Sequence, residues 1–388
     1  MWRLEARRDP SAAMAWGAPL IALGLTLVFG MALFAALGVD PFEAARIIFV
    51  EPLTTPFGRA ELLVKGTPLV LIALGLSLGF RAGVWNIGAE GQFIVGALAG
   101  GAAGLAAWPA TGLWVLPMMC LAGAAAGTAW AMIPALLRIR FGANEILTSL
   151  MLVYVAELWL SVLVSGPLRD PEGFNFPESR LFSDAMTLPI LIEGTRAHVG
   201  ALVALAAVGA AWLLLRRHVI GFSFELFGQA PRAAGFAGFS QARTVALTLG
   251  ISGALAGLAG IFDAAGPVGQ LVPAIPVGYG FTAIIVAFLG RLHPVGILFA
   301  GGLMALTYIG GEGAQLALRL PAASISVFQG MLLFFLLGAD VLTRYRLRPA
   351  PPRAAAPTTP GLTTGSTAGL TAGLAAGPPA QAVGMVAG

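Results

Sequence analysis

Ten stretches of predominantly apolar residues, at approximately 15–37, 67–85, 87–107, 112–137, 145–165, 198–216, 243–263, 275–290, 294–311 and 322–343, set the strongest limit on what this chain can become. Most approach the ~20 residues that an α-helix needs to cross a hydrocarbon core of roughly 30 Å. With 58% hydrophobic residues, 10% charged and a mean hydropathy of +0.87, the chain reads as an all-α polytopic membrane protein of about ten transmembrane helices.

The positive charges set its orientation. If the N-terminus is cytosolic, the inner segments hold fifteen arginines, including Arg3, Arg7, Arg8, Arg138, Arg140, Arg216 and Arg217. The outer segments hold seven basic residues, Lys65 and Arg196 among them, so both termini are expected inside. The net charge of +4 is thus topological and does not point to nucleic acid. The first apolar run exceeds the 7 to 15 residues of a signal-peptide core, which implies an uncleaved first helix. The expected organisation is a cytosolic segment 1–14, a transmembrane domain 15–345, and a disordered Pro/Ala/Gly/Thr-rich cytosolic tail 346–388.

One stretch departs from plain spans. Phe80–Phe93, FRAGVWNIGAEGQF, brings polar groups into an apolar run. Thr67–Phe80 upstream amounts to only about 21 Å of helix, which predicts continuation through Arg81 and Gly83 toward Asn86, with a broken backbone. Such breaks are tolerated at membrane depth only inside protein or beside water, and in transporters they often line the substrate path. Asn86 and Glu90 share a helix face if the next helix has begun by Asn86; otherwise Asn86 is that helix's N-cap and Glu90 lies in its first turn.

Other polar positions offer similar pairs of readings. Asn144 and Glu145 suit a helix start by capping alone. Glu157 falls midway along its span, where an ionised carboxylate costs about 2.5–3.5 kcal/mol and so faces a cavity or a partner, or is protonated. Asp263 reads as a helix-end residue, and Asp340 as a partner of Arg344 four residues on. The connections Gly38–Gly66 and Gly166–Ala197 read as long outer loops, the second either a solvated connector or a docking surface with a short helix. The longest inner connection runs from Arg216 to Arg243; within it Pro231–Phe239 is expected to form a short helix, on an interfacial loop or against another protein. Stripes such as GALAGG and ISGALAGLAG imply close helix packing.

Several chemistries find no residues. The sole lysine, Lys65, is not followed by Ser or Thr, so there is no phosphate-binding GKS/T loop. His198, His218 and His293 are scattered and outside any H-E-x-x-H, and Cys120 is the single cysteine, so neither a metal cluster nor a disulfide is expected. No GxSxG elbow occurs. The chain is therefore not expected to be an enzyme or to bind a cofactor of its own.

Four stretches in order, NIGAEGQF (86–93), GANEILTSLMLVY (142–154), GQAPRAAGFAGFS (228–240) and GYGFTAIIVAFLGRLHPVGI (278–297), resemble the inner-membrane permeases of ABC importers in the branched-chain amino acid and ribose permease superfamily, nucleoside or simple-sugar branch. Val153, Glu157 and Ala230 depart from the usual pattern. The resemblance implies a vitamin B12 permease-like transmembrane domain in a bacterial cytoplasmic membrane. ATP would be bound by a separate ATPase subunit, docked on a coupling element at about 225–240 through Gly228, Gln229, Arg232, Ala233 and Gly238. It further implies a translocation path near Asn86, Glu90, Gln92, Asn144, Glu145 and Glu157, a second related permease, and a periplasmic or lipoprotein binding protein. From the residues alone, a proton-coupled transporter using Glu90, Glu145 or Glu157 as relay is the alternative.

Overall fold

The computed structural model describes residues 2–6 and 12–349. Apart from one pair of short strands, β1 (Trp2–Ala6) beside β2 (Tyr345–Pro349), its regular structure is helical. The first residues of the expected tail belong to β2, and the remainder, 350–388, lies outside the described residues.

Helix α1 (Ala12–Ala36) packs along the last helix, α14 (Ala322–Arg344). A glycine permits this, since a Cβ on Gly30 would sit 2.6 Å from the Phe328 ring. The ion pair expected between Asp340 and Arg344 involves side chains outside the described set.

Gly38–Gly66 is not a loop. Asp40 caps α2 (Pro41–Phe49) by accepting from the Phe42 amide at 2.9 Å, and a one-turn α3 (Glu51–Thr54) follows. Thr55 then caps α4 (Pro56–Arg81), with Pro56 at its first position. Asp-Pro and Thr-Pro pairs are helix-start signals because the capping oxygen takes a free amide while proline has none to lose. The 26 residues of α4 span about 39 Å. This corrects the expectation that Thr67–Phe80 needs the following residues to cross: the helix gains its length on the N-terminal side. From Gly66 to Gly79 every residue of α4 is buried, so this helix is apolar all round and is surrounded by others.

Helices α5 (Ala89–Ala106), α6 (Val115–Phe141) and α11 (Gln241–Asp263) pack at backbone contact through their small residues. A Cβ on Gly96 would lie 2.2 Å from the Cα of Gly257, and one on Gly257 would lie 2.3 Å from the Gly123 carbonyl oxygen. The stripes seen in the sequence thus do what small-xxx-small faces do, bringing dispersion contacts together where lipid gives no hydrophobic drive. Helix α7 (Glu145–Ser165) leans on α5 and leaves Leu147, Met151, Leu158 and Val162 exposed, and α8 (Gly200–Arg217) exposes Leu202, Leu205 and Leu213.

Two short helices, α9 (Val219–Gln229) and α10 (Pro231–Phe236), join α8 to α11. Helix α11 continues into a π-helical turn, Ala264–Val268, and stops at Gly269, whose φ is +74°. An irregular segment then leads to Gly278 and to α12 (Tyr279–Leu289), followed by α13 (Pro294–Leu318). At 11 residues, α12 covers about 16 Å and cannot cross alone. The stretch 275–290, read as one span, is a half-helix preceded by irregular backbone. Among the described residues six helices are long and apolar enough to cross a membrane, namely α4, α6, α7, α8, α11 with its π turn, and α13.

Residues 166–197 hold no helix, so of the readings offered for this connection the short helix is not found. The segment docks on the irregular backbone before α12: the Ser179 amide donates to the Leu271 carbonyl at 2.9 Å and the Phe182 amide to that of Gly269 at 2.8 Å.

Gly257→Val is expected to lose about 1–3 kcal/mol or more by overpacking, read as a lower melting temperature in detergent. Gly209→Val, where an added Cβ meets nothing within 4 Å, is expected to melt like the parent chain.

Candidate functional site

Helix α4 ends where glycine allows it. Gly83 takes φ +69°, the Gly83 amide donates to the Phe80 carbonyl at 3.3 Å and the Val84 amide to that of Gly79 at 2.9 Å, which is a Schellman closure. The chain then runs irregularly to Gly88, and α5 begins at Ala89. The break in Phe80–Phe93 is therefore present, inside the protein.

Asn86 is not the N-cap of α5; Gly88 holds that position, and Asn86 accepts from the Gly88 amide at 3.2 Å. Its amide also pairs reciprocally with that of Gln92, with Asn86 Nδ2 donating to Gln92 Oε1 at 2.8 Å and Gln92 Nε2 donating back at 3.0 Å. Asn86 Nδ2 reaches Ser252 on α11 at 2.9 Å as well. Both amides are 1% exposed, so this bonding satisfies groups that would otherwise be stranded in an apolar interior. Ser252 comes within reach because Gly75 on α4 has no side chain; a Cβ there would lie 2.7 Å from the Ser252 Cα.

Glu90 does something the sequence did not reveal. Its carboxyl group, 1% exposed, accepts from the Gly278 amide at 2.8 Å and from the Gly280 amide, the two that flank Tyr279 at the start of α12. Glu90 thus caps the half-helix as well as standing in the first turn of α5. Two helix N-termini, each with free amides and partial positive charge, converge on one carboxyl group. Gly280 makes the approach possible, since a Cβ on it would lie 2.2 Å from the Glu90 amide nitrogen.

Asn144 caps α7, accepting from the Ile146 amide at 2.9 Å. Glu145 bonds Arg138 at the end of α6 and accepts from the Trp85 amide at 3.3 Å, tying two helix ends to the break. Glu157 is half-buried on α7, apart from these bonds. The structure therefore brings Asn86, Glu90 and Gln92 together at the break, attaches Glu145 to its rim, and leaves Asn144 as a cap.

The α8–α11 connection presents a bare surface. On α10 and the turn after it, Arg232, Ala233 and Gly238 are exposed, Phe236 is 94% exposed, and Ala234 alone is buried. Gln229 is exposed at the end of α9. Gly228 differs from the other four residues assigned to a contact surface: a Cβ on it would lie 1.9 Å from the Arg81 carbonyl oxygen, so that side of it faces the end of α4. Arg81 Nε in turn donates to the Leu292 carbonyl beyond α12 at 3.0 Å. Phe80, Trp85 and Phe288 close over the same place, with ring centroids 4.9–5.9 Å apart.

At the opposite end of the bundle lies a cavity of about 130 Å³ lined by Val64, Lys65, Arg196, Asp263, Ile275 and Tyr279 among others. Arg196 holds Glu61 through two hydrogen bonds, at 2.9 and 2.7 Å, which push the guanidinium pKa above its ordinary value. Lys65 pairs with Glu312 at 3.2 Å. Asp263 was read as an ordinary helix end; it is buried, because α11 continues past it as the π turn. The one available signal was that the chain's single lysine falls in this group. Among the described residues no three His, Cys, Asp or Glu side chains gather to hold a metal.

The broken backbone, the half-helix and the bare connecting helices describe a membrane transport subunit. Residues 58–337 match the family described as the branched-chain amino acid transport system / permease component, and the chain belongs to that family. It is 40% identical to the glucose ABC transporter permease protein TsgB13 of Haloferax volcanii, covering 89% of this chain and 93% of that one. It is 28% identical to the guanosine ABC transporter permease protein NupP of Bacillus subtilis, over 82% of this chain and 91% of the relative. It is 26% identical to the nucleoside ABC transporter permease protein NupB of Lactococcus lactis, over 82% and 89%. No solved structure matches the chain. The superfamily implied by the four sequence stretches is the one found, and nothing supports the proton-relay alternative: Glu90 is engaged by backbone amides and Glu145 by Arg138.

Glu90→Ala strands the amides of Gly278 and Gly280 and is expected to destabilise the fold by about 1–3 kcal/mol for each, whereas Glu90→Gln keeps an acceptor and loses less. Thermal unfolding of the purified chain in detergent checks the order.

Proposed function

We propose that this chain is a transmembrane subunit of an importer for nucleosides or sugars, driven by a separate ATPase that docks on α9 and α10. The observation that carries the reading is an exposed surface joined to a close backbone contact: Phe236 and Arg232 face outward, while Gly228, itself exposed, rests one side on the end of α4 beside the break. A partner pushing on α10 would move α9 against α4 and α11 directly. The arginine distribution supports a cytosolic position for that connection, on the side where ATP is.

The substrate class is drawn from the relatives, whose names give glucose, guanosine and nucleosides; these solutes share a hydroxylated sugar ring. The partner permease is inferred the same way, because two guanosine permease proteins of B. subtilis, NupP and NupQ, both match this chain. A binding protein delivering substrate at the 166–197 end, a bundle of the vitamin B12 permease-like type, and a cytoplasmic membrane location complete the reading. Asn86, Glu90 and Gln92 hold the broken span in shape, and Glu145 and Glu157 border it.

The test is substrate-stimulated ATP hydrolysis by the complete complex in proteoliposomes, with guanosine and glucose as probes. Replacing Pro231–Phe239 by a Gly/Ser linker is expected to abolish stimulation while leaving the chain folded. Stimulation that survives the replacement contradicts the docking assignment.

A further inference from the structure

The cavity beneath the 166–197 segment holds a polar group that nothing in the protein satisfies. Asp263 is 8% exposed, lines the cavity, and makes no hydrogen bond among the described residues. A carboxyl group taken this far from water without a partner is costly, so its retention calls for a ligand or waters to complete it. The nearby cations do not complete it: Lys65 is bonded to Glu312 and Arg196 to Glu61. Three acids therefore face two bases, and the excess negative charge at Asp263 repels anionic solutes. The Tyr279 hydroxyl, on the same wall, likewise has no hydrogen-bond partner among the described residues.

Shape narrows the choice. The cavity measures about 130 Å³, below the ~300 Å³ at which small-molecule pockets usually begin. One small ring fits, and a bicyclic base with its sugar does not. The Tyr279 ring is buried, packed at a steep angle to Phe93 and Tyr308 with centroids 5.8 Å away in both cases and with the Lys65 ammonium 6.0 Å from its centroid, so its hydroxyl is held in a fixed place. Its position is held by the break itself, because the amides on either side of Tyr279 are the two that Glu90 accepts from.

We infer that this cavity is a sugar-ring subsite, in which Asp263 accepts hydrogen bonds from two neighbouring hydroxyl groups of a neutral solute and the unpartnered Tyr279 hydroxyl bonds an oxygen of the same ring. The inference rests on the reading of the chain as an importer of nucleosides or sugars and adds which part of the solute this chain recognises. Adjacent hydroxyls match the two oxygens of a carboxylate as the two donors of an arginine do, and a charge-assisted pair of this kind is worth about tenfold or more in affinity.

The experiment is uptake by the intact transporter in proteoliposomes, comparing guanosine with 2′,3′-dideoxyguanosine and glucose with 3-deoxyglucose. In the parent chain the dihydroxy solute is expected to be favoured. In Asp263→Asn that preference should fall about tenfold or more, with uptake of the deoxy analogue retained; the binding protein is common to both, so its own preference cancels. An unchanged preference in Asp263→Asn overturns the subsite. Should Asp263→Asn lose all uptake, Tyr279→Phe decides: a preference reduced several-fold supports the subsite and an unchanged one overturns it. A preference that instead tracks the base, with inosine and guanosine separated by Asp263→Asn while the deoxy sugars are not, also overturns it. If the parent complex imports neither guanosine nor glucose, the importer reading fails, and the subsite with it.

Discussion

A single buried carboxyl group, that of Glu90, holds together the two places where this helical bundle is broken. Backbone amides within a membrane have no water to turn to, so every interruption of a helix must be completed by the protein. Here the start of α5 and the start of α12 meet, and Glu90 completes the Gly278 and Gly280 amides. The reciprocal amides of Asn86 and Gln92, anchored on Ser252, do the same for the other break. Without these bonds neither the half-helix nor the irregular chain between α4 and α5 has a reason to stay in place.

From this junction, contacts run to both ends of the bundle. Toward α9, the end of α4 touches Gly228, Arg81 bonds the Leu292 carbonyl, and Glu145 ties Arg138 to the Trp85 amide. Toward the 166–197 segment, Tyr279 forms a wall of the cavity that holds Asp263 and Lys65. The contacts are close because glycines line them: Gly75, Gly228 and Gly280 each sit where a side chain would collide with a neighbour's backbone. At the α9 end these backbone contacts stand beside side-chain packing, in which Phe224 of α9 is buried with Leu78, Ala82 and Val84 at the end of α4.

Much of this was legible in the sequence and some was not, for physical reasons. Apolar runs mark helices because burial in lipid or protein needs them, and ten helices stand at the ten runs; the polar interruption at Asn86 likewise announced a break. The extra turns of α4 were hidden because Glu61 and Lys65 make its first part look like a loop, although each is neutralised, by Arg196 and by Glu312. The second break escaped because a short apolar run reads the same whether helical throughout or half irregular. The partners of Glu90 lie about 190 residues away, at separations of 188 and 190, where spacing rules have no reach. Asp263 looked like an ordinary helix end because a π turn, which continues the helix past it, leaves no periodic trace.

Hydrogen exchange at the amides of Gly278 and Gly280, in the unaltered chain reconstituted in lipid nanodiscs, tests the role of Glu90 most directly. If its carboxyl group closes the junction, both amides exchange as slowly as those in the middle of α4. Exchange as fast as at the exposed stretch Ile192–Gly194 would mean that the half-helix starts uncapped and that the junction is not what holds the bundle together.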